Sequence, residues 1–332
     1  MKITFLGTSS GLPTKERNVS GIALRFDQSS DWMLFDCGEA TQHQLLKTPY
    51  SLPKLKHIFI THLHGDHCFG LFGLLATRSL NNAQEPITII GPVGIKKLLE
   101  SVFKITQTHF RFEIDINEIN SQNTHFKIPQ ASIEAIPLEH SIPSYAFIIQ
   151  ENEKPGKFKL ELAKEKGIPS GPIYGKLKRG EKVELPNGEI LNGNDFIGEP
   201  ITGRKIIIAG DNKNPDLLLP YLKNCNLLIH EANYTEKVKA LVKDEFFHST
   251  ARDVARVAQK SGIPNLILTH FSARFSLEYS RARKFSIDDV LQEALAEYSG
   301  KCFLAKDLDT YLLNAQGELN IEETKKDKKI IK

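Results

Sequence analysis

Six short apolar runs in this 332-residue chain each stop at a side chain able to bind a metal ion or carry a proton. Trp32-Met33-Leu34-Phe35 ends at Asp36, Ile58-Phe59-Ile60 runs into Thr61-His62, and Ile136-Pro137-Leu138 reaches Glu139-His140. Ile206-Ile207-Ile208-Ala209-Gly210 ends at Asp211, Leu227-Leu228-Ile229 at His230-Glu231, and Leu266-Ile267-Leu268-Thr269 at His270. Runs of this length, bounded by polar or turn residues, read as buried strands. Six of them ending in His, Asp or Glu imply one shared edge where those side chains meet.

Between these runs lie patterns with apolar residues three and four apart, which predict helices over 69–80, 93–103, 249–261 and 287–298. Ser249 or Thr250 is placed to cap the third and Ser286 the fourth. Residues 110–150 read as strand-rich. Strands alternating with helices, covered on two sides, predict a layered α/β or α+β domain. With 40% hydrophobic and 25% charged residues, the chain falls outside the collagen-like, disordered and membrane-spanning classes. Its start has too short an apolar run for a secretory signal. Cys37, Cys68, Cys225 and Cys302 form no C-x-x-C, so reduced thiols and a cytoplasmic location are expected.

The net charge of +3 is unevenly spread: residues 154–182 carry +6 and the remainder −3. Glycine, proline and lysine are frequent over 151–195 and apolar periodicity is weak, which predicts an inserted basic arm within a domain made of 1–150 and 196–315. Residues 316–332 are lysine-rich and predict a disordered tail.

The densest signal is Thr61-His62-Leu63-His64-Gly65-Asp66-His67. In a turn, with Gly65 relieving backbone strain, these imidazoles and the carboxylate can converge on a divalent ion. A tetrahedral catalytic zinc needs about three protein ligands plus water. Four here, with His140, Asp211 and His270 at other strand ends, are too many for one ion and suit two. Asp211 is the natural bridge, since a carboxylate has two oxygens to share. Burying such a cluster unpaired would cost several kcal/mol. His43, His57, His109 and His125 stand alone and read as hydrogen-bonded core residues.

This H-x-H-x-D-H segment resembles the signature of the metallo-β-lactamase fold superfamily. Gly7-Thr8-Ser9-Ser10-Gly11, Pro13-Thr14-Lys15-Glu16-Arg17-Asn18, Asp36-Cys37-Gly38-Glu39, Gly210-Asp211, His230-Glu231-Ala232, His248-Ser249-Thr250 and His270-Phe271-Ser272-Ala273-Arg274-Phe275 are similar, in order, to motifs of ribonuclease Z in its short form. The likeness runs from residue 1 to about 313. It implies a four-layer αββα sandwich with an inserted flexible basic arm. It further implies two zinc ions, with manganese or another divalent ion as a substitute, His62, His64 and His140 on one, Asp66, His67 and His270 on the other, and Asp211 bridging. Asn212 departs from the threonine usual in the family, but its side chain can still hydrogen-bond in support of the site, so tuning rather than loss is expected.

The resemblance implies an endoribonuclease that removes the 3′ trailer of precursor tRNA near the discriminator base and leaves a 3′ hydroxyl. Asp66 is the expected general base, and His248, oriented by Glu231, the expected proton donor to the leaving oxygen. The arm resembles the family's exosite, which grips the tRNA elbow: Lys176, Lys178 and Arg179 are expected phosphate contacts, with Tyr174 packing in the arm or stacking on RNA. Lys15 and Arg17 are expected near the acceptor stem, unless their loop is simple surface. A homodimer follows from the family alone. The rival readings are a same-fold hydrolase of small phosphodiesters or sulfate esters, and a catalytically dead RNA-binding scaffold.

Overall fold

A computed structural model describes residues 1–242, 247–276 and 285–322. They divide into two compact units, one of the described residues within 1–150 and 205–322 and one of residues 151–204. The larger unit is built on two mixed sheets. The first has eight strands in the order Leu319–Ile321, Thr310–Leu313, Lys2–Gly7, Gly21–Arg25, Trp32–Phe35, Leu55–Phe59, Ile87–Pro92 and Ile114–Ile119. The second has seven, in the order Lys301–Leu304, Asn265–Thr269, Leu227–Glu231, Lys205–Ala209, Ser144–Glu151, Ala131–Leu138 and His125–Ile128.

Apolar runs without a polar break form because these strands are covered on both faces. Phe59, Ile206, Ile208, Ile229 and Ile267 point into the core between the sheets. Their neighbours point the other way: Ile58 and Ile60 pack among Leu71, Leu74, Leu75, Ile95 and Leu99 of the helices Leu71–Leu80 and Ile95–Ile105. Ile207, Leu228, Leu266 and Leu268 pack with Val254, Ala258, Val290 and Ala294 of the helices Ala251–Ser261 and Ile287–Leu295. The layers are therefore helix, sheet, sheet, helix, the αββα sandwich expected. Thr250 caps one helix by accepting the Asp253 N–H, and Ser286 caps another in a capping box with Asp289.

The smaller unit, where the inserted basic arm is expected, has elements of its own. It contains the helices Leu160–Glu165 and Pro172–Lys178 and a hairpin of Lys182–Glu184 with Ile190–Asn192. Ala163, Ile168, Leu177, Val183, Leu191 and Phe196 form its own buried cluster. Elements of three to seven residues are too short to display a period, so the sequence reads as irregular. The unit closes on Glu151 and Arg204, nine residues beyond the expected boundary at 195. Arg204 Nε and Nη2 each donate to a different oxygen of Glu151 at 2.7 Å, and Lys154 Nζ lies 2.8 Å from Oε1. At the C-terminus, Leu319–Ile321 pairs antiparallel with Thr310–Leu313, so the expected tail contributes a strand; residues 323–332 lie outside the described residues. No helix among the described residues is long and apolar enough to cross a membrane.

Candidate metal centre

Parallel register brings the ionisable strand ends together. Ile207 pairs with Leu228 and Leu228 with Leu266, so Asp211, Glu231 and His270 emerge at one edge of the second sheet. In the first sheet Phe35 pairs with Phe59, which sets Asp36 beside Thr61 and His62. His64, Asp66 and His67 then follow on the short helix Gly65–Cys68 and its N-cap. Gly65 is not in the left-handed region that a strained turn would need. An added Cβ would lie 2.6 Å from the Phe69 ring, which is exposed enough to move aside. A second close approach fixes this helix: a Cβ on Gly38 would lie 2.2 Å from the Asp66 carbonyl oxygen.

The side chains form two adjoining sets. His64 Nδ1 lies 3.1 Å from His62 Nε2 and 3.2 Å from His140 Nε2, and Asp211 Oδ2 lies 3.6 Å from His62 Nε2 and 3.9 Å from His140 Nε2. In the second set His67 Nε2 is 3.1 Å from His270 Nε2, and each is 3.4 Å from Asp66 Oδ2 and from Asp211 Oδ1. Tetrahedral ligands bonded at about 2.0–2.1 Å sit about 3.3 Å from one another. Asp211 thus turns one oxygen to each set.

The donor chemistry also suits cations. Burial lowers His62, His64 and His140, keeping the imidazoles in the neutral form that ligates. Burial also opposes charge on Asp66 and Asp211, yet the surrounding histidines hold both well below the usual carboxylate range. For His67, burial is outweighed by Asp211, Asp66 and Asp36, which raise it well above its ordinary value. A field that draws a proton onto a buried imidazole also favours a metal ion.

Supporting contacts orient the rings. Asp36 Oδ2 accepts from His67 Nδ1 at 2.7 Å and Oδ1 from the Thr61 N–H at 2.8 Å. Asp36 has φ +57° and His270 φ +56°, both in a left-handed conformation uncommon for side chains other than glycine. Asp36 was absent from the expected site, although it ends an apolar run as the ligands do. His140 Nδ1 lies 3.2 Å from the Phe247 carbonyl. Asn212 Nδ2 lies 3.1 Å from His230 Nε2, away from the candidate ligands, and it is its main-chain N–H that donates to Glu231 Oε1 at 2.7 Å. His248 Nδ1 lies 3.0 Å from both Glu231 oxygens. Burial works against charge on His248, but Glu231 and Asp211 raise its pKa to about 9.

The expected RNA contacts divide. Lys15, Lys176, Lys178 and Arg179 are exposed, with Lys178 Nζ 5.4 Å from the Phe158 ring and Arg179 Nε 2.6 Å from Glu181 Oε1. Tyr174 packs within the insert, donating to the Ile168 carbonyl at 2.9 Å. Arg17 is a correction. It is buried, and Nη2 donates to the carbonyls of Ser272 and Phe275 at 3.2 and 2.8 Å, so its charge holds two loops together instead of facing solvent. The four lone histidines are a second correction: His43, His109 and His125 are exposed and His57 half-buried, none in the core.

A family model for the anti-Pycsar protein Apyc1 matches residues 1–155. The chain is 45% identical to the ribonuclease Z of Brevibacillus brevis over 295 residues, covering 89% of this chain and 91% of that one. It is 40% identical to the ribonuclease Z of Bacillus subtilis over 300 residues, covering 90% and 97%. The crystal structure of the short form of human tRNase Z superposes with a TM-score of 0.66 at 28% identity, covering 95% of this chain and all of that one. YhfI of Bacillus subtilis, a metallo-β-lactamase fold protein, superposes with a TM-score of 0.64 at 18% identity over 93% of this chain and 98% of that one, a likeness of fold. Two sets of ligand atoms sharing Asp211 on the meeting edge of an αββα sandwich, with this identity along nearly the whole chain, assign it: the protein belongs to the ribonuclease Z family.

Proposed function

We propose that this protein is an endoribonuclease that removes the 3′ trailer of precursor tRNA, cutting near the discriminator base and leaving a 3′ hydroxyl on the tRNA. The observation that carries the reading is the division of Asp211, one oxygen toward His62 and His140 and the other toward His67 and His270. That arrangement supports two divalent ions, zinc or in its place manganese, held by His62, His64 and His140 on one side and Asp66, His67 and His270 on the other. Such ions supply Lewis acidity, lowering the pKa of water toward neutrality and polarising a phosphate.

The remaining roles fall to the chain. Asp66 accepts the proton of the attacking water, and Glu231 fixes the His248 ring through Nδ1. Nε2 of His248 is then turned to donate a proton to the departing ribose 3′ oxygen. The Glu231 carboxylate at 3.0 Å from Nδ1 favours the protonated ring. The exposed Lys176, Lys178 and Arg179 of the inserted unit supply phosphate contacts, and Lys15 supplies another at the acceptor stem. Backbone contacts at separate places favour recognition of a folded RNA by shape. We further read the protein as a cytoplasmic homodimer.

The test uses metal-depleted protein restored with zinc or with manganese, on precursor tRNAs with and without CCA, with product ends mapped. Restored cleavage next to the discriminator base supports the proposal. Undiminished cleavage after thorough chelation, or hydrolysis of small phosphodiesters with none of precursor tRNA, overturns it.

A further inference from the structure

The segment from Thr8 to Asn18 is pinned at both ends by one carboxylate far along the chain. Asp307 Oδ1 accepts from Thr8 Oγ1 at 2.7 Å, and Oδ2 accepts from the Asn18 N–H at 2.7 Å and from Gln44 Nε2 at 2.9 Å. The same segment is stitched to the residues that follow the ligand His270. Ser10 N–H donates to the Phe271 carbonyl at 3.0 Å, Phe271 N–H to the Thr8 carbonyl at 2.8 Å, and buried Arg17 holds the Ser272 and Phe275 carbonyls. At the tip, Gly11 takes φ +68° and donates its N–H to Asp66 Oδ2 at 2.8 Å.

That last bond distinguishes the two oxygens of Asp66. Oδ2 faces His67 and His270 at 3.4 Å each and accepts from Gly11. Oδ1 takes no hydrogen bond from a described residue. A carboxylate with one oxygen held among the ligands and the other released is arranged to bind a metal through the first and take a proton through the second.

We propose that Asp307 is a positioning residue for the hydrolysis: it clamps the loop so that the Gly11 amide holds Asp66 with Oδ1 turned to the attacking water. This rests on the assignment of Asp66 as the general base, though not on tRNA being the substrate. The pinned loop also reaches the His270 side of the site, so Asp307 coordinates two strand ends that the sequence separates widely.

The experiment compares wild type, Asp307→Ala and Asp307→Asn, each loaded with zinc, on precursor tRNA and on bis(p-nitrophenyl) phosphate. Metal content and hydrogen exchange of the Gly11 amide are followed in parallel. Misplacing a reacting group by about 1 Å costs up to about a hundredfold. Asp307→Ala is therefore expected to lower kcat ten- to a hundredfold on both substrates, with KM and metal content unchanged and Gly11 exchange accelerated. Asp307→Asn, which keeps an oxygen for Thr8, is expected to recover part of the loss. Unchanged kcat in Asp307→Ala, or Gly11 exchange equal to wild type in both variants, overturns the proposal. So does a fall in kcat that tracks lost metal, which would make Asp307 a structural support only. If Asp307→Ala does not fold, Asp307→Asn carries the test under the same criteria. The small ester keeps it readable even if wild type fails to cleave tRNA.

Discussion

At the scale of single residues, environment decides what a charge does. Lys15 and Arg17 stand two positions apart in one loop, and the sequence gives them the same reading. Lys15 is exposed, whereas Arg17 is 6% exposed and spends its guanidinium on main-chain carbonyls. Lys15→Ala should weaken precursor tRNA binding and flatten its salt dependence by about one phosphate contact, with melting temperature unchanged. Arg17→Ala should instead cost about 1–3 kcal/mol of stability, because buried acceptors lose their donor. Thermal melts beside binding titrations at several salt concentrations separate the two; equal salt slopes for both variants would refute the assignment. Asp36 teaches the same lesson in reverse. It resembles a ligand in sequence, yet its Oδ2 lies 2.7 Å from His67 Nδ1, so it braces the ring of a candidate ligand from behind.

At the scale of elements, helices with a sustained pattern were legible and short ones were not. The helices Ala251–Ser261 and Ile287–Leu295 lie where apolar spacing and the caps Thr250 and Ser286 predict them. The insert's short helices and hairpin escape because fewer than two turns show no periodicity to read. What holds that unit at its ends is the ion pair of Glu151 with Arg204, 6% and 2% exposed. Burial would push the Glu151 carboxyl up, but hydrogen bonds from Arg204 and Lys154 lower it to about 2, below its ordinary value of 4.5. A depressed carboxylate pKa stabilises above the unfolded value and loses that contribution as pH falls through the folded one. The insert should therefore become protease-sensitive as pH drops from about 4.5 toward 2. Glu151→Gln should produce a similar sensitivity at neutral pH, because the buried Arg204 guanidinium loses the carboxylate that its Nε and Nη2 grip. Limited proteolysis mapped to residues 151–204 checks both, and an equally resistant variant would count against the clamp.

At the scale of the whole molecule, two sheets bring candidate ligands to one edge, so metal bound there would couple to folding. Bound ions stabilise the native state by RT ln(1 + [L]/Kd), about 2.7 kcal/mol for one site at a hundredfold excess over Kd. Chelation should lower the melting temperature by several degrees, and zinc should restore it in a concentration-dependent manner. A melting temperature indifferent to chelator would remove the metal from the account. Charge on the inserted unit acts differently. Lys176→Glu combined with Lys178→Glu should raise KM for precursor tRNA and reduce the salt slope, while kcat on bis(p-nitrophenyl) phosphate stays at the wild-type value. A loss on both substrates would mean that these lysines serve the catalytic unit itself.

Local chemistry alone was enough to identify the candidate ligand types, the strand ends that carry them and the capped helices, and the resemblance of short motifs was enough to identify the family. Those properties depend on neighbours in the chain, which the sequence displays directly. Tertiary structure alone decided which oxygen of Asp211 faces which histidines, that Arg17 is buried, that Asp36 stands behind His67, and that Asp307 reaches Thr8 and Asn18 nearly three hundred residues away. The physical reason is that hydrogen bonds and ion pairs are settled over about 3 Å in space. Separation along a chain carries no information about that distance until the sheets have packed.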